Sequence, residues 1–158
     1  MRRASRLVPL LLLLALVANA WGADPRFLTG AVVKVVDGDT IHVQLGDRVE
    51  KVRYIGVNTP EVHHPRQGEQ PGGREAWEVN WRLVAGRQVR LELDARERDR
   101  YRRLLAYVWV GESMVNAELV GLGYAQVMTV PPNVRYQQLF LRLQRDAREA
   151  GRGLWRRA

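Results

Sequence analysis

The amino-acid sequence predicts an α+β fold that is mainly β: a small closed barrel of five short strands with about three helices. Three observations predict it. Two runs rich in Val and Ile, 31–36 and 40–45, flank the turn Asp37-Gly38-Asp39, and a third run, 49–57, follows the tight turn Gly46-Asp47-Arg48. A stretch with helical periodicity, Arg74 to Ala85, comes next and stops at Gly86. Two more apolar strands and two more helical segments complete the chain. Three strands, a helix, two strands and two helices fit a five-stranded barrel of the OB type.

In chain order, residues 1–20 read as a secretory signal. Arg2, Arg3 and Arg6 form a positive start, Leu7 to Val17 is apolar apart from Pro9, and Ala18-Asn19-Ala20 offers small residues for cleavage after Ala20. The apolar run is shorter than the roughly 20 residues a membrane-spanning helix needs. Export to the periplasm or the medium is expected, with no stable membrane anchoring after cleavage. Residues 21–29 read as a lead-in, and 30–158 as one domain.

After the three-strand meander, Asn58 to Gly73 is a long polar loop containing Pro60, Pro65 and Pro71. In the following helix Ala76, Trp77, Asn80, Trp81, Leu83 and Val84 share a broad face, so Trp77 and Trp81 are expected to pack on the barrel. Gln88 to Leu93 alternates as a strand. Asp94 to Arg103 is a charged connection, and Leu104 to Val110 is the fifth strand. Ser113 can cap a short helix through Val115, Leu119 and Leu122. Tyr124 to Met128 reads as a brief strand. Asn133 can cap a last helix whose apolar stripe is Tyr136, Leu139, Phe140, Leu143, Ala147 and Ala150.

The chain has 158 residues and no cysteine, which excludes disulfides and thiolate metal sites. A metal would have to be held by oxygen or histidine, favouring Ca²⁺, Mg²⁺ or Mn²⁺. The formal charge is +8, and Lys34 and Lys51 are the only lysines among 25 cationic residues. A basic surface rich in arginine suits a polyanion, although net charge alone does not separate that partner from compositional bias.

The chemistry gathers where the second and third strands meet their turns. Asp39 and Glu61 are acids, Asn58 and Thr59 offer neutral oxygens, and Arg53 carries a fixed positive charge. Strand alternation points Arg53 to the side of Ile55 and Val57, so it needs carboxylates or a bound anion as partners. Phosphodiester hydrolysis calls for such a mixture. A hard cation and guanidinium groups offset charge on phosphorus oxygens, and a carboxylate activates water. Each motif alone is weak, since Asp-Gly-Asp is most often a turn. His63-His64 reads as a solvated loop pair, and His42 as a structural strand residue.

In combination the motifs are specific. Val36 to Thr40, Val52 to Glu61, Asp99 to Val108, Met114-Val115-Asn116 and Gly153-Leu154-Trp155 resemble the signature segments of the thermonuclease (staphylococcal nuclease) family. The resemblance runs from about Gly30 to Trp155. It implies an OB-fold enzyme that uses Ca²⁺ to cleave DNA and RNA and leaves 3′-phosphate and 5′-hydroxyl ends; nothing in the sequence suggests an obligate oligomer, so a monomer is expected. It places metal ligands at Asp39, Asn58 and the Thr59 carbonyl, and the general base at Glu61. The phosphate-binding arginines fall at Arg53 and Arg103, and a substrate contact at Tyr101.

Three positions depart from the family pattern. Asn58 replaces an aspartate, which removes a charge from the metal site and leaves other divalent cations open. Arg102 stands where glycine often precedes the second arginine. Thr129 and Pro131 fall where tyrosines would pack on the nucleotide. The alternative reading is an OB domain that binds nucleic acid and has weak or lost catalysis, with Asn58 as its motive.

Overall fold

The structure, a computed structural model, describes residues 26–156. The expected signal segment 1–20 lies outside the described residues. Five strands close into a barrel: β1 (Phe27–Asp37), β2 (Thr40–Leu45), β3 (Arg48–Tyr54), β5 (Gln88–Glu92) and β6 (Leu104–Val110). β1 to β3 form the antiparallel meander, β5 joins the other edge of β1, and β6 pairs with β5. Closure is made by the parallel pairing of β3 with β6, Val52 opposite Leu104 and Tyr54 opposite Ala106. This removes the free edges that an open sheet would present.

The barrel interior follows the period-2 alternation of the strands. Ile41, Val43, Val52, Leu91 and Val108 are fully buried. β1 carries two bulges, one between Val32 and Lys34 and one between Val35 and Asp37. Each inserts one residue relative to β2 and so resets which β1 side chains face outward. β1 begins at Phe27, so the last part of the expected lead-in 21–29 is strand paired with β5.

Helix α1 (Gly73–Val84) sits on the meander through Ala76, Asn80 and Val84. Trp81 is not in this contact; it is 50% exposed. Asn80 takes the buried place instead, accepting from the Tyr54 hydroxyl at 2.7 Å and donating to Asp37 O at 2.8 Å. A polar residue was favoured there because a buried phenol and a turn carbonyl both needed partners. Trp77 is half-buried, and its indole donates to Val35 O.

The third strand is shorter than the predicted run 49–57. It ends at Tyr54, and Gly56 turns the chain at φ 78°. Val57–Asn58 becomes a separate strand β4, paired with β8 (Gln126–Val127). Phe140 packs where a Gly56 side chain would be, so position 56 is closed to a Cβ both by conformation and by space.

The two-residue strand β7 (Ser113–Met114) leads directly into α2 (Val115–Gly121). Ser113 therefore lies in β7 and donates to Glu118 rather than capping α2. The last helix is α3 (Gln137–Glu149), started by Tyr136. Asn133 does not cap it; its amide bridges Arg96 N and Arg96 O, tying the 130–133 turn to the segment before β6. A 3₁₀ turn at Gly153–Trp155 ends the described chain.

Candidate active site

Asp39 leaves the β1–β2 turn beneath Gly38. A Cβ at Gly38 would fall 2.7 Å from Thr59 Oγ1, so the turn can approach the loop after β4 only with glycine there. That approach gives Asp39 its partners. Thr59 N and Thr59 Oγ1 donate to Asp39 Oδ2 at 2.8 and 3.1 Å, and Thr40 Oγ1 donates to Oδ1 at 2.9 Å. Arg53 Nη2 lies 3.3 Å from the same Oδ2. Asp39 and Arg53 are both buried, 6% and 8% exposed.

Both terminal nitrogens of Arg53 are partnered, as a buried guanidinium requires, and among the described residues its Nε makes no hydrogen bond. Nη1 donates to Tyr54 O at 2.7 Å and Val57 O at 2.8 Å, and Nη2 donates to Asn58 Oδ1 at 3.0 Å. The alternation expected from a continuous third strand does not hold, because the chain turns at Gly56. That turn swings the Val57 carbonyl and Asn58 back towards Arg53. Burial pushes the Arg53 guanidinium below the ordinary arginine value; Arg103 acts the same way and Asp39 opposes it.

Arg103 is held from a different segment. The Asp99 carboxylate accepts from Tyr101 N, Arg103 N and Arg103 Nε, the last at 2.7 Å. This folds 99–103 into a loop in which Arg102 takes φ 65°. The residue standing where glycine often precedes Arg103 thus adopts the left-handed conformation that glycine favours. Tyr101, 64% exposed, lies beneath the Arg100 and Arg103 guanidinium groups at 4.7 and 5.5 Å. Asp99 was not singled out in the sequence, though an Asp that accepts from backbone N–H groups two and four residues on is a recognisable turn signal.

Arg53, Arg103, Tyr101 and Arg100 line one groove of about 700 Å³. Met128 and Val130, which are 41% and 50% exposed, line the same groove. Thr129 and Pro131, the positions the sequence pointed to, are not among the lining residues. The chain between β8 and the 130–133 turn alternates, and the alternation presents the even-numbered side chains. Arg96 and Arg98 also reach the groove, but Arg98 is held in a two-pronged pair with Glu50 at 2.9 Å.

Glu61 stands apart from this network. Its backbone is pinned by Gln70, whose side-chain oxygen accepts from Glu61 N at 2.8 Å and whose N–H donates to Glu61 O at 2.9 Å. No hydrogen bond to its carboxylate is made among the described residues. Asp37, two residues before Asp39, is tied to the residue that follows Glu61. Its Oδ1 accepts from Val62 N at 3.3 Å, and burial raises its pKa, with the Asp39 charge adding to the effect. Among the described residues no three His, Asp or Glu side chains converge as a ready cation cage. Asp39, Asn58 and Thr59 are brought together; Glu61 and Asp37 flank them. His64 Nδ1 accepts from Arg66 N and Gln67 N within its own loop, so the His63-His64 pair is not a chelate.

The family model for "Staphylococcal nuclease homologue" matches residues 51–157. The chain belongs to the staphylococcal nuclease family. It is 40% identical over 127 residues to "Thermonuclease" of Staphylococcus hyicus, covering 80% of this chain and 75% of that one. To "Thermonuclease" of Staphylococcus intermedius it is 39% identical over 134 residues, 85% and 80% of the two chains. "Endonuclease YncB" of Bacillus subtilis is 37% identical over 124 residues, 77% of this chain and 59% of that one. The family match begins at Lys51 and takes in Arg53, Asn58, Thr59, Glu61, Tyr101 and Arg103; Asp39 lies before it. The barrel and its helices are thus the staphylococcal nuclease domain, an OB-type fold.

Proposed function

We propose that this staphylococcal nuclease family member is an exported, Ca²⁺-dependent nuclease that hydrolyses phosphodiester bonds of DNA and RNA as a monomer. The observation that carries the reading is the placement of Arg53 and Arg103. Two guanidinium groups from distant segments face one groove beside Asp39, and each is anchored by its own carboxylate.

The donor set fits a hard cation. Among the described residues Asp39 Oδ1 has a single hydrogen bond, from the Thr40 hydroxyl, and Arg53 joins the Asn58 amide oxygen to Asp39; the family resemblance adds the Thr59 carbonyl to this set. These are oxygens only, the ligand type of Ca²⁺. The chemistry a bound ion supplies is charge neutralisation at the phosphoryl group and acidification of a water. Asn58 contributes no charge, so other divalent cations remain candidates.

The chain's own residues do the rest. Arg53 and Arg103 donate to the non-bridging oxygens, and their fixed charge meets the charge that develops there. Glu61 takes a proton from the attacking water, whose oxygen forms the new bond to phosphorus. The bond from phosphorus to the 5′-oxygen breaks, and that oxygen leaves as the alcohol after gaining a proton from solvent. The products are a 3′-phosphate and a 5′-hydroxyl. Tyr101 packs against the nucleotide beside Arg103.

Digestion of plasmid, single-stranded DNA and RNA with Ca²⁺, and again after EGTA, tests this. Cleavage that EGTA abolishes supports the reading; no cleavage with any divalent metal overturns it. The second reading, a binding domain with lost catalysis, has one observation in its favour: Asn58 Oδ1 is engaged by Arg53. Retained binding without cleavage would select it. Export rests on the segment 1–20 alone, and the intact mass of protein recovered outside the cytoplasm tests it: cleavage after Ala20 leaves Trp21 as the first residue.

A further inference from the structure

The chain's two lysines stand in one cross-strand row. Lys34 of β1 is directly opposite His42 of β2, and His42 is directly opposite Lys51 of β3. Directly opposed residues share a sheet face, and neighbouring strands are about 4.8 Å apart, so three basic side chains cross the sheet within about 10 Å.

The bulge in β1 makes the row. Val32 pairs with Val43 on the core side, and a regular ladder would set Val33 opposite His42 and turn Lys34 inward. The extra residue at Val33 sets Lys34 opposite His42 instead and aims it out of the barrel. The two lysine charges stand on either side of His42, two strands apart. Partial burial, and after it the charges of both lysines, hold His42 towards its neutral form. Among the described residues no carboxylate forms a salt bridge with Lys34 or Lys51.

The row is in step with the active site. Arg53 is opposite Thr40, two residues along β3 and β2 from Lys51 and His42. Residues two apart on a strand share a face and are separated by about 7 Å. The row therefore lies on the Arg53 side of the sheet, one step away from the proposed scissile phosphate. At its Lys34 end it opens into a cleft of about 320 Å³ that His63 and Trp77 also line. Arg74 reaches that cleft as well, although Glu69 holds its guanidinium at 2.9 Å.

We propose that Lys51, His42 and Lys34 form a phosphate track that binds the backbone of the substrate strand beyond the scissile bond, directing it to the cleft beside Trp77. The track rests on the nuclease reading for its direction and on the sheet register for its existence. It binds phosphodiesters of DNA and RNA alike, because no base-reading group is part of the row. A dinucleotide is too short to reach it.

The test is the double variant Lys34→Glu/Lys51→Glu, with Lys34→Gln/Lys51→Gln beside it should charge reversal impair folding. Binding of single-stranded 12-residue DNA and RNA is measured by fluorescence anisotropy in EDTA over a range of salt. Cleavage of a dinucleotide is measured with Ca²⁺. Each lost phosphate contact lowers the slope of log K against log salt by about 0.7 on a single strand, so the Gln variant is expected to lose about 1.4. The Glu variant is expected to bind both 12-mers at least about tenfold more weakly, a change of roughly 1.4 kcal/mol. Dinucleotide cleavage stays at the wild-type rate. An unchanged slope and affinity would overturn the track, and so would equal losses for 12-mer and dinucleotide. A wild-type protein that binds the 12-mer through the track and cleaves nothing would overturn the nuclease reading and leave the track standing.

Discussion

Asn58 gives its side-chain oxygen to Arg53: Oδ1 accepts from Nη2 at 3.0 Å. The same Nη2 reaches Asp39 Oδ2 at 3.3 Å, so the proposed metal side and the phosphate side share one guanidinium. An aspartate at position 58 would place a second full charge against that group and against a cation. A unit charge about 4 Å from another is worth several kcal/mol at an effective dielectric near 20, before Arg53 takes its share. Asn58→Asp is expected to tighten Ca²⁺ binding by about tenfold or more, read by calorimetric titration. An unchanged Kd would mean that position 58 does not reach the ion.

The two arginines are anchored differently, and truncation should separate them. Arg53→Ala leaves Asp39 buried with a partner missing and two carbonyls without donors. Breaking a buried pair in this way costs about 3–5 kcal/mol. Arg103 is only partly buried and holds a single carboxylate on its own loop, so Arg103→Ala is expected to cost about 1 kcal/mol or less. Both variants should lose at least about a hundredfold in kcat for DNA, while only Arg53→Ala loses its urea midpoint. Equal destabilisation by the two would contradict the anchoring described here.

The ionised Asp37 side chain should cost the folded state stability. Burial raises its pKa, and the Asp39 charge does so further, so the folded state binds that proton more readily than the unfolded chain. Its contribution is favourable below the unfolded value, near 3.8, and is lost as pH rises through the raised folded value. Asp37→Asn keeps an acceptor for Val62 N and removes the charge. In EDTA its Tm is expected to exceed that of wild type at pH 7, and the gap should close as pH falls below 4. A gap constant with pH would exclude the titration of Asp37 as its cause.

Gln70 holds the Glu61 backbone in place. Its two hydrogen bonds to the Glu61 backbone close the loop that begins at Pro60, and Gly73 N continues the chain of bonds to Gln70 O. Gln70→Ala removes one bond worth about 1 kcal/mol. Activity should fall about tenfold in kcat with KM little changed, and Gln70→Glu, which keeps an acceptor, should restore part of it. A loss carried by KM instead would assign Gln70 to substrate binding.

The barrel was legible because alternation and turn residues agree along the meander. Ile41, Val43 and Val52 are apolar because they point inward, and Asp37-Gly38-Asp39 turns where it reads as a turn. The site was legible as a list of residues more than as a geometry. Arg53 was expected to need carboxylate or anion partners; Asp39 is one, and the others are the adjacent Tyr54 carbonyl and, brought round by Gly56, a turn hidden inside an apolar run, the Val57 carbonyl and the Asn58 amide. Asn133 and Ser113 look like helix caps, yet each bonds a partner that local pattern does not reveal, Arg96 and Glu118. Trp81 satisfies helical periodicity and is still exposed, because the buried place went to Asn80 and its two long-range hydrogen bonds. Long-range polar pairing is what the periodicities leave out.

The groove wall offers the sharpest distinction between sequence register and structure. Sequence resemblance points to Thr129 and Pro131 as the positions facing the nucleotide, whereas Met128 and Val130 line the groove together with Tyr101. An aliphatic wall gives a base a surface to lie on but no π-face. A base stacked on an aromatic side chain is worth about 1–3 kcal/mol. Val130→Tyr is therefore expected to tighten single-stranded DNA binding by about fivefold or more at constant salt, with the salt slope unchanged because no phosphate contact is added. Thr129→Tyr, one residue away, should leave affinity as it is. Tighter binding from Thr129→Tyr and none from Val130→Tyr would show that the segment presents its odd-numbered side chains to substrate.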